Sequence, residues 1–290
     1  MKAMLSRATL ALLWLLHCLP LRVTRALGAV LGMLLYVAIP ERRHVVMTNL
    51  RLCFPQRNDK WRRRIMRRHF MDFTCAVIDR VYFWWSPREK LERMIQLEGR
   101  EHLQDAASIP TILLVPHFVG LDAAGVITSM ICPMVSIYSR QKNPHFDAQL
   151  LAGRMRFNEP LLLSRQDGMR RVLKALKGGY CFFYLPDLDF GAKDAVFVPF
   201  FGVPTATITG VSRLARLSGA RVVTCIARMT RDGYVVTLLP PWQGYPGASL
   251  EEDTAHMNAV IEAEIEKMPE QYFWSHKRFK TRPPGEKGVY

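Results

Sequence analysis

Short apolar runs alternate with helix-like stretches from about residue 110 to residue 267, and this alternation most constrains the fold. The runs are five to nine residues long, which is typical of buried strands rather than helices. Strands that are apolar on both faces belong in a sheet covered on both sides, and alternation with helices favours parallel pairing. The sequence therefore predicts an α/β fold with a mixed, largely parallel central sheet flanked by helices on both faces.

The positions of these elements can be predicted from the same patterns. The predicted strands are 111–115, 134–139, 160–164, 180–185, 221–229 and 234–240. The predicted helices are 59–85, 121–130, 145–156, 167–179, 205–217 and 250–267. In sheets of this class, functional side chains gather beyond the carboxyl ends of the strands. Candidate site residues are therefore sought there.

The first forty residues contain two strongly apolar stretches, 8–21 and 26–39, separated by Arg22 and Arg25. Each is shorter than the roughly 20 residues that a spanning helix needs. No small-x-small site leads into a polar mature start, which argues against a cleaved signal peptide. We expect residues 1–40 to form a membrane-associated helical segment, either one tilted anchor or a pair of interfacial helices, and residues 41–290 to form the α/β domain. The alternative is two buried core helices.

The chain is strongly basic, with a net charge of +15, and much of the excess follows the apolar N-terminus directly. Between residues 41 and 69 there are ten basic residues and only two acidic ones, Glu41 and Asp59. The basic residues are Arg42, Arg43, Arg51, Arg57, Lys60, Arg62, Arg63, Arg64, Arg67 and Arg68. A charge near an anionic lipid surface contributes about 1 kcal/mol, so anionic membrane lipids are an expected partner. Nucleic-acid binding is the alternative from another class. The apolar N-terminus and the lack of a recognisable binding module argue against it.

The six cysteines, at positions 18, 53, 75, 132, 181 and 225, show no zinc or redox spacing, because no two lie within four positions of each other. This usage predicts free thiols in a reducing compartment and no metal site. Basic residues also stay on the cytoplasmic side of membranes. Both arguments place the catalytic part at the cytoplasmic face.

The first predicted strand runs into Pro116 and His117, and Asp122 follows five residues after the histidine. On one continuous helix these two side chains would lie about 140° apart, so they can meet only if His117 is in the turn and Asp122 in the first turn of the next helix. A carboxylate that holds an imidazole makes it a general base. Because no serine or cysteine lies in the motif, His117 is expected to deprotonate a substrate hydroxyl. The alternative is a partly buried histidine beside a capping aspartate.

Four segments carry a resemblance to a known family: PHFVGLD at 116–122, SIYSRQKNPHFDAQLLAGR at 136–154, YLPDLDFGAKDAVFVPFFGVPTATITG at 184–210, and PEQYFWSHKRFKTRP at 269–283. A strand leading into H-x-x-x-x-D is the first motif of the lysophospholipid acyltransferase superfamily. Over nearly the whole chain, the sequence resembles more specifically the late acyltransferases of lipid A biosynthesis. These are lauroyl and myristoyl transferases that act on Kdo-lipid IVA.

The resemblance implies an O-acyltransferase of the bacterial inner membrane. Acyl carrier protein is the implied donor and a hydroxyl of a lipid A precursor the implied acceptor, with no cofactor. The family's catalytic histidine falls on His117 and its acidic partner on Asp122, where many close members carry glutamate. A functional arginine falls on Arg154. A functional aspartate falls on Asp187 as first choice, or on Asp189.

The chemistry of these side chains suits a role in substrate binding. Arg154 could hold a phosphate or help to bind the donor. Asp187 follows a predicted strand, so it should share a sheet edge with His117 and could orient Arg154 or bind a sugar hydroxyl. Arg140 and Arg165 also follow strands and are candidates for phosphate or carrier contact. Structural ion pairs or solvated arginines are the alternatives.

Two alternative functions and the identity of the oxyanion donors stay open. The same chemistry could act on another acceptor, namely a lysophospholipid, an ornithine lipid or a phosphatidylinositol mannoside. The chain could also be a scaffold without catalytic activity. The donors that stabilise the oxyanion could be backbone amides near the helix start or a basic side chain.

Overall fold

The computed structural model describes residues 2–290, except the side chains of residues 2–5 and of Arg165. The helices are α1 (Lys2–His17), α2 (Leu21–Ala38), α3 (Pro40–Cys53), α4 (Asp59–Trp85), α5 (Arg88–Met94), α6 (Leu121–Ser129), α7 (Pro144–Arg154), α8 (Met169–Lys177), α9 (Gly210–Ser218) and α10 (Leu250–Lys267). The strands are β1 (Ile95–Glu98), β2 (Thr111–Leu114), β3 (Met134–Ile137), β4 (Leu161–Leu163), β5 (Cys181–Tyr184), β6 (Ala195–Phe200), β7 (Val203–Ile208), β8 (Arg221–Thr230) and β9 (Gly233–Leu238). Short 3₁₀ turns lie at Arg100–Leu103, Arg165–Asp167 and Pro269–Gln271.

The central sheet has seven strands in the order β1-β9-β8-β2-β5-β3-β4. Every neighbouring pair is parallel except β8 and β9, which are antiparallel and joined by a tight connection. The prediction of a mixed, largely parallel sheet is confirmed. β2 lies near the centre, between β8 and β5, so the segment that follows it opens onto the middle of the sheet edge.

Two hydrophobic layers cover the sheet, one on each face. In β2, Ile112 and Leu114 face the layer that includes α8, α9 and α10, whereas Leu113 faces the layer that includes α4 and α6. These three side chains are fully buried. Alternation along a strand sends successive side chains to opposite faces, so a strand buried on both sides must be apolar throughout. The uninterrupted apolar runs arise in this way.

The predicted helix 205–217 is wrong in its first part. Residues Val203–Ile208 form β7, which pairs antiparallel with β6, and α9 begins only at Gly210. Thr205 and Thr207 belong to a β-branched segment that suits a strand. Phe201 and Gly202 connect the two strands with φ angles of 50° and 75°, which makes a tight hairpin.

The N-terminal segment is packed against the α/β domain through α2 and α4. At Gly32 a Cβ atom would lie 2.5 Å from the carbonyl oxygen of Phe70, and at Gly28 it would lie 2.9 Å from the Cα of Cys75. The two backbones therefore touch where glycines remove the side chains. Arg25 adds a 2.9 Å ion pair with the buried Asp79.

The outer face of α2 is apolar and exposed. Its exposed large side chains are Val23, Leu27, Val30, Leu31, Leu34 and Val37, and Leu12, Trp14, Leu15 and Leu19 continue this surface on and after α1. By length and composition, α2 is the one helix among residues 2–290 that could cross a membrane. Because two buried core helices would not leave such a face open, this alternative is wrong for α2.

The basic segment lies beside the far end of α2. Arg43 and Arg67 stack on the ring of Tyr36 at 5.3 and 5.9 Å from its centroid. Arg62 is instead buried and donates hydrogen bonds to the carbonyls of Phe54 and Pro55. The segment thus combines one structural arginine with a cluster of exposed basic residues on α3 and α4.

Candidate active site

His117 lies in the turn between β2 and α6, as the sequence predicts, and Asp122 lies in the first turn of α6. The partner of the imidazole is Asp187, which follows β5. The Nδ1 atom of His117 lies 2.7 Å from one oxygen of Asp187, and the backbone amide of His117 donates to the other oxygen at 2.9 Å. β5 is the parallel neighbour of β2, so the two residues leave adjacent strands at the same edge.

The Asp187 carboxyl group is completely buried, and its pKa is nevertheless lowered. Burial raises its pKa, but the His117 imidazole and amide together outweigh this and hold the pKa below its usual range. A carboxylate at Nδ1 favours the tautomer with the proton on Nδ1. The Nε2 atom is then a free acceptor, and no described residue bonds to it.

A C-terminal segment holds the histidine turn in place. The amide of Val119 donates to the carbonyl of Gln271 at 2.8 Å, and the amide of Phe273 donates to the carbonyl of His117 at 3.0 Å. The Phe273 ring stacks on the imidazole with their centroids 6.1 Å apart. The imidazole is therefore fixed by a carboxylate at one nitrogen and by an aromatic ring at its face.

Asp122, the predicted partner of His117, makes no hydrogen bond to the imidazole and lies between two arginines instead. One oxygen of Asp122 accepts a 2.6 Å hydrogen bond from Nε of Arg80, and the other lies 4.0 Å from Nη2 of Arg154. Burial raises the pKa of Asp122, but the two arginines outweigh it and lower the pKa. Five residues of separation bring Asp122 to the same side of the turn as His117, yet the strand order places Asp187 at the imidazole nitrogen.

His117 lies between two cavities. The larger has a volume of about 940 Å³, and its lining is mostly apolar, with side chains such as Phe83, Val126, Leu173 and Phe183. The smaller has a volume of about 190 Å³ and extends along α4. Four residues contribute to the lining of both cavities: Arg80, His117, Leu121 and Asp122. Two molecules that enter from different cavities would meet at the imidazole.

Of the other predicted site residues, only some lie at the cavities. Arg154 lines the larger cavity, with its guanidinium 5.3 Å from the centroid of the Tyr138 ring. Arg140 is exposed and lies outside both cavities. Asp189 is buried and accepts hydrogen bonds from the amide and hydroxyl of Thr281, so it anchors the C-terminal segment. The Arg165 side chain lies outside the described part of the structure.

Sequence reasoning missed Arg80. It lies twelve residues beyond the last arginine of the basic segment, and its spacing gives no sign of a role in the site. Among the described side chains, no group of three or more histidines, cysteines, aspartates or glutamates could hold a metal ion.

One buried and one half-buried histidine should make the fold sensitive to acid. Burial lowers the pKa of His69 to about 4, and burial with nearby Arg278 lowers that of His276 to about 4. In the unfolded chain both would titrate near 6.5, so the unfolded state binds more protons between pH 6.5 and 4. We expect the free energy of unfolding to fall as pH falls through this window, by roughly 3 kcal/mol for His69 alone. Urea unfolding across this pH range measures it. The His69→Gln, His276→Gln double variant should show a shallower profile, and an equally steep one would contradict the prediction.

Several known proteins resemble this chain over most of its length. The model of the family described as bacterial lipid A biosynthesis acyltransferase matches residues 2–281. The chain is 37% identical to the lipid A biosynthesis lauroyltransferase of Escherichia coli over 97% of this chain and 93% of that protein. It is 33% identical to the palmitoleoyltransferase of the same organism over 97% and 92% of the two chains. The solved structure of the 1-acyl-sn-glycerophosphate acyltransferase PlsC from Thermotoga maritima aligns with a TM-score of 0.43 at 13% identity, over 85% of this chain and 98% of that one.

The family match runs from α1 to Thr281 in the C-terminal segment, so it includes the histidine turn, the strand end that carries Asp187 and the apolar N-terminal helices. The chain therefore belongs to the bacterial lipid A biosynthesis acyltransferase family.

Proposed function

We propose that this protein transfers a fatty acyl chain from acyl carrier protein to a hydroxyl of a lipid A precursor, with His117 as the general base. The observation that carries the proposal is the Asp187–His117 pair. Its histidine lines a large, mostly apolar cavity, and no described residue bonds to Nε2. Such a cavity suits an acyl chain, and an oriented imidazole suits the activation of a hydroxyl.

The proposed reaction proceeds in two steps. Nε2 of His117 removes the proton from the acceptor hydroxyl as its oxygen forms a bond to the thioester carbon, and the carbonyl electron pair moves onto the carbonyl oxygen. When the carbonyl re-forms, the carbon–sulfur bond breaks and the leaving thiolate takes the proton from the imidazolium. Asp187 stabilises the imidazolium between these steps without becoming protonated.

The basic surface near the larger cavity supports the proposal that the acyl donor is an acidic protein. Met169 and Leu173 of α8 line the cavity. The exposed side chains of the same helix include Arg170, Arg171, Lys174 and Lys177, and the helix has no acidic residue. A basic rim of this kind favours encounter with an acidic carrier. Arg154 at the cavity wall is proposed to bind a phosphate of one substrate, and the more distant Arg140 to contact the carrier.

We further propose that residues 1–40 contact the cytoplasmic face of the bacterial inner membrane, with residues 41–290 as the acyltransferase domain. The exposed apolar face of α2 and the neighbouring cluster of basic residues support this placement, since one would bury in lipid and the other would attract anionic headgroups.

Two charges on the apolar face of α2 should release the protein from lipid. Burial of a valine or leucine side chain contributes about 1.5–3 kcal/mol, so Val30→Glu with Leu34→Glu is expected to weaken binding to phosphatidylglycerol vesicles by more than about tenfold. Co-sedimentation measures this. Ile109→Glu, at an exposed apolar residue of the α/β domain, is the matched control and should bind normally. Undiminished binding of the double variant would contradict the role of α2.

Acyl transfer itself is tested with the purified protein, acyl carrier protein loaded with a fatty acid, and Kdo-lipid IVA. The expected product is the acceptor with one added acyl chain, detected by mass spectrometry. Mass spectrometry of lipid A from cells with and without the protein should show the loss of one acyl chain. Transfer to a lysophospholipid, an ornithine lipid or a phosphatidylinositol mannoside in place of this acceptor would instead support those alternatives.

A further inference from the structure

Acyl transfer generates a negative charge on the carbonyl oxygen, and backbone amides often stabilise it. In the histidine turn most amides are already used. The amide of His117 donates to Asp187, that of Phe118 to the carbonyl of Pro116 at 2.7 Å, and that of Val119 to the carbonyl of Gln271 at 2.8 Å. The three amides nearest the imidazole therefore cannot bind an oxyanion without loss of a structural hydrogen bond.

A surplus positive charge lies at the same place. Asp122 is the single carboxylate between Arg80 and Arg154, so the three side chains together carry a net charge of +1. The ion pair uses only Nε of Arg80, and no described residue accepts a hydrogen bond from its two terminal amino groups. Arg80 also belongs to the small set of residues, with His117, that line both cavities.

We propose that Arg80 is the catalytic residue that binds the oxyanion during acyl transfer, and that Asp122 is a positioning residue that holds its guanidinium. The inference rests on the proposed function. The two residues of the H-x-x-x-x-D motif then have different roles. His117, oriented by Asp187, removes the proton, and Asp122 positions Arg80, which stabilises the developing negative charge. The carbonyl oxygen gains its charge when the acceptor oxygen attacks and returns the electron pair when the carbon–sulfur bond breaks, so Arg80 donates hydrogen bonds throughout and transfers no proton.

Arginine also fits the geometry of this role. A bond from Nε to a carboxylate fixes the plane of the guanidinium, and the remaining N–H groups then point in defined directions. The Asp122 side chain is 18% exposed and that of Arg80 is 36% exposed, so the ion pair is partly shielded from water. A guanidinium held in this way needs no reorganisation when the charge appears.

The test compares Arg80→Ala, Arg80→Lys and Asp122→Asn with the wild type in the acyl transfer assay. Loss of one oxyanion donor typically costs about 100-fold to 1000-fold in kcat. We expect about a 100-fold loss of kcat in Arg80→Ala, with little change in KM for either substrate, a smaller loss in Arg80→Lys, and an intermediate loss in Asp122→Asn. Millimolar guanidinium should restore part of the rate of Arg80→Ala, which a merely structural role would not allow.

Arg93→Ala, an exposed arginine of α5 outside both cavities, is the matched control and should keep the wild-type kcat. Thermal unfolding shows whether each variant is folded. A folded Arg80→Ala with wild-type kcat would overturn the inference and assign the oxyanion to the remaining amides of the turn, those of Gly120 and Asp122. A raised KM for the lipid acceptor at unchanged kcat would also overturn it, because Arg80 would then bind a substrate phosphate. A wild type that transfers no acyl chain to the acceptor would instead count against the proposed function.

Discussion

Replacement of His117 by alanine is expected to lower kcat for acyl transfer by about 10³–10⁴-fold, because the acceptor hydroxyl then loses its base while both cavities remain. The imidazole lies at the junction of the two cavities, and its Nε2 has no competing partner among the described residues. Rate measurements at saturating donor and acceptor give this change directly. Truncation of a partly buried ring leaves a small void, so we expect only a modest loss of stability.

His44→Ala is the control for this experiment, since His44 is exposed on α3 and distant in sequence from the site. It should retain wild-type kcat. A folded His117→Ala variant that keeps full transferase activity would remove His117 from the chemistry. The protein would then be a scaffold, or another group would act as the base.

Asp187→Asn is expected to be nearly as damaging, with a loss of about 10³-fold or more in kcat. The amide group of asparagine can donate to Nδ1, which would move the imidazole proton to Nε2, where the base must be free. The substitution also removes the negative charge that accepts hydrogen bonds from the imidazole and from the His117 amide. Kinetics at several pH values measure the loss, and a higher pH should not restore the rate because the defect lies in the tautomer.

The matched control is Asp232→Asn, at an exposed aspartate paired with Arg22. It removes one negative charge from the chain without contact to the site and should leave kcat unchanged. Asp187→Asn with kcat within threefold of the wild type would show that another group orients the imidazole. Asp122 would then be the first residue to reconsider.

Much of the fold could be predicted because the strands are buried on both faces. The strand Thr111–Leu114 is buried at every position, and its apolar run from Ile112 to Leu114 is visible in the sequence. The β6–β7 hairpin was missed because it lies outside the central sheet, and its short polar and apolar residues also fit the start of a helix. Where burial is partial, the sequence pattern is weaker.

The site could be predicted less completely, since its pairs depend on strand order. Sequence spacing brings His117 and Asp122 to one turn, and the strand before Asp187 places that residue at the same edge. That β5 lies directly beside β2 is a property of the assembled sheet, and it decides which carboxylate reaches the imidazole. Arg80 lies on α4, 42 residues before Asp122, and only tertiary packing brings it to the histidine turn.

One helix, α4, connects the exposed apolar helix α2 to the candidate active site. α4 touches the backbone of α2 at Cys75 and presents Arg80 to both cavities five residues later, which is about 7–8 Å along the helix axis. Gly28 and Gly32 bring the backbones of α2 and α4 into direct contact. If α2 lies in the bilayer as proposed, the reacting atoms stand at a constant height above the lipid. An acceptor lipid must then rise from the leaflet by a set distance, and thickness or packing of the membrane becomes a determinant of turnover.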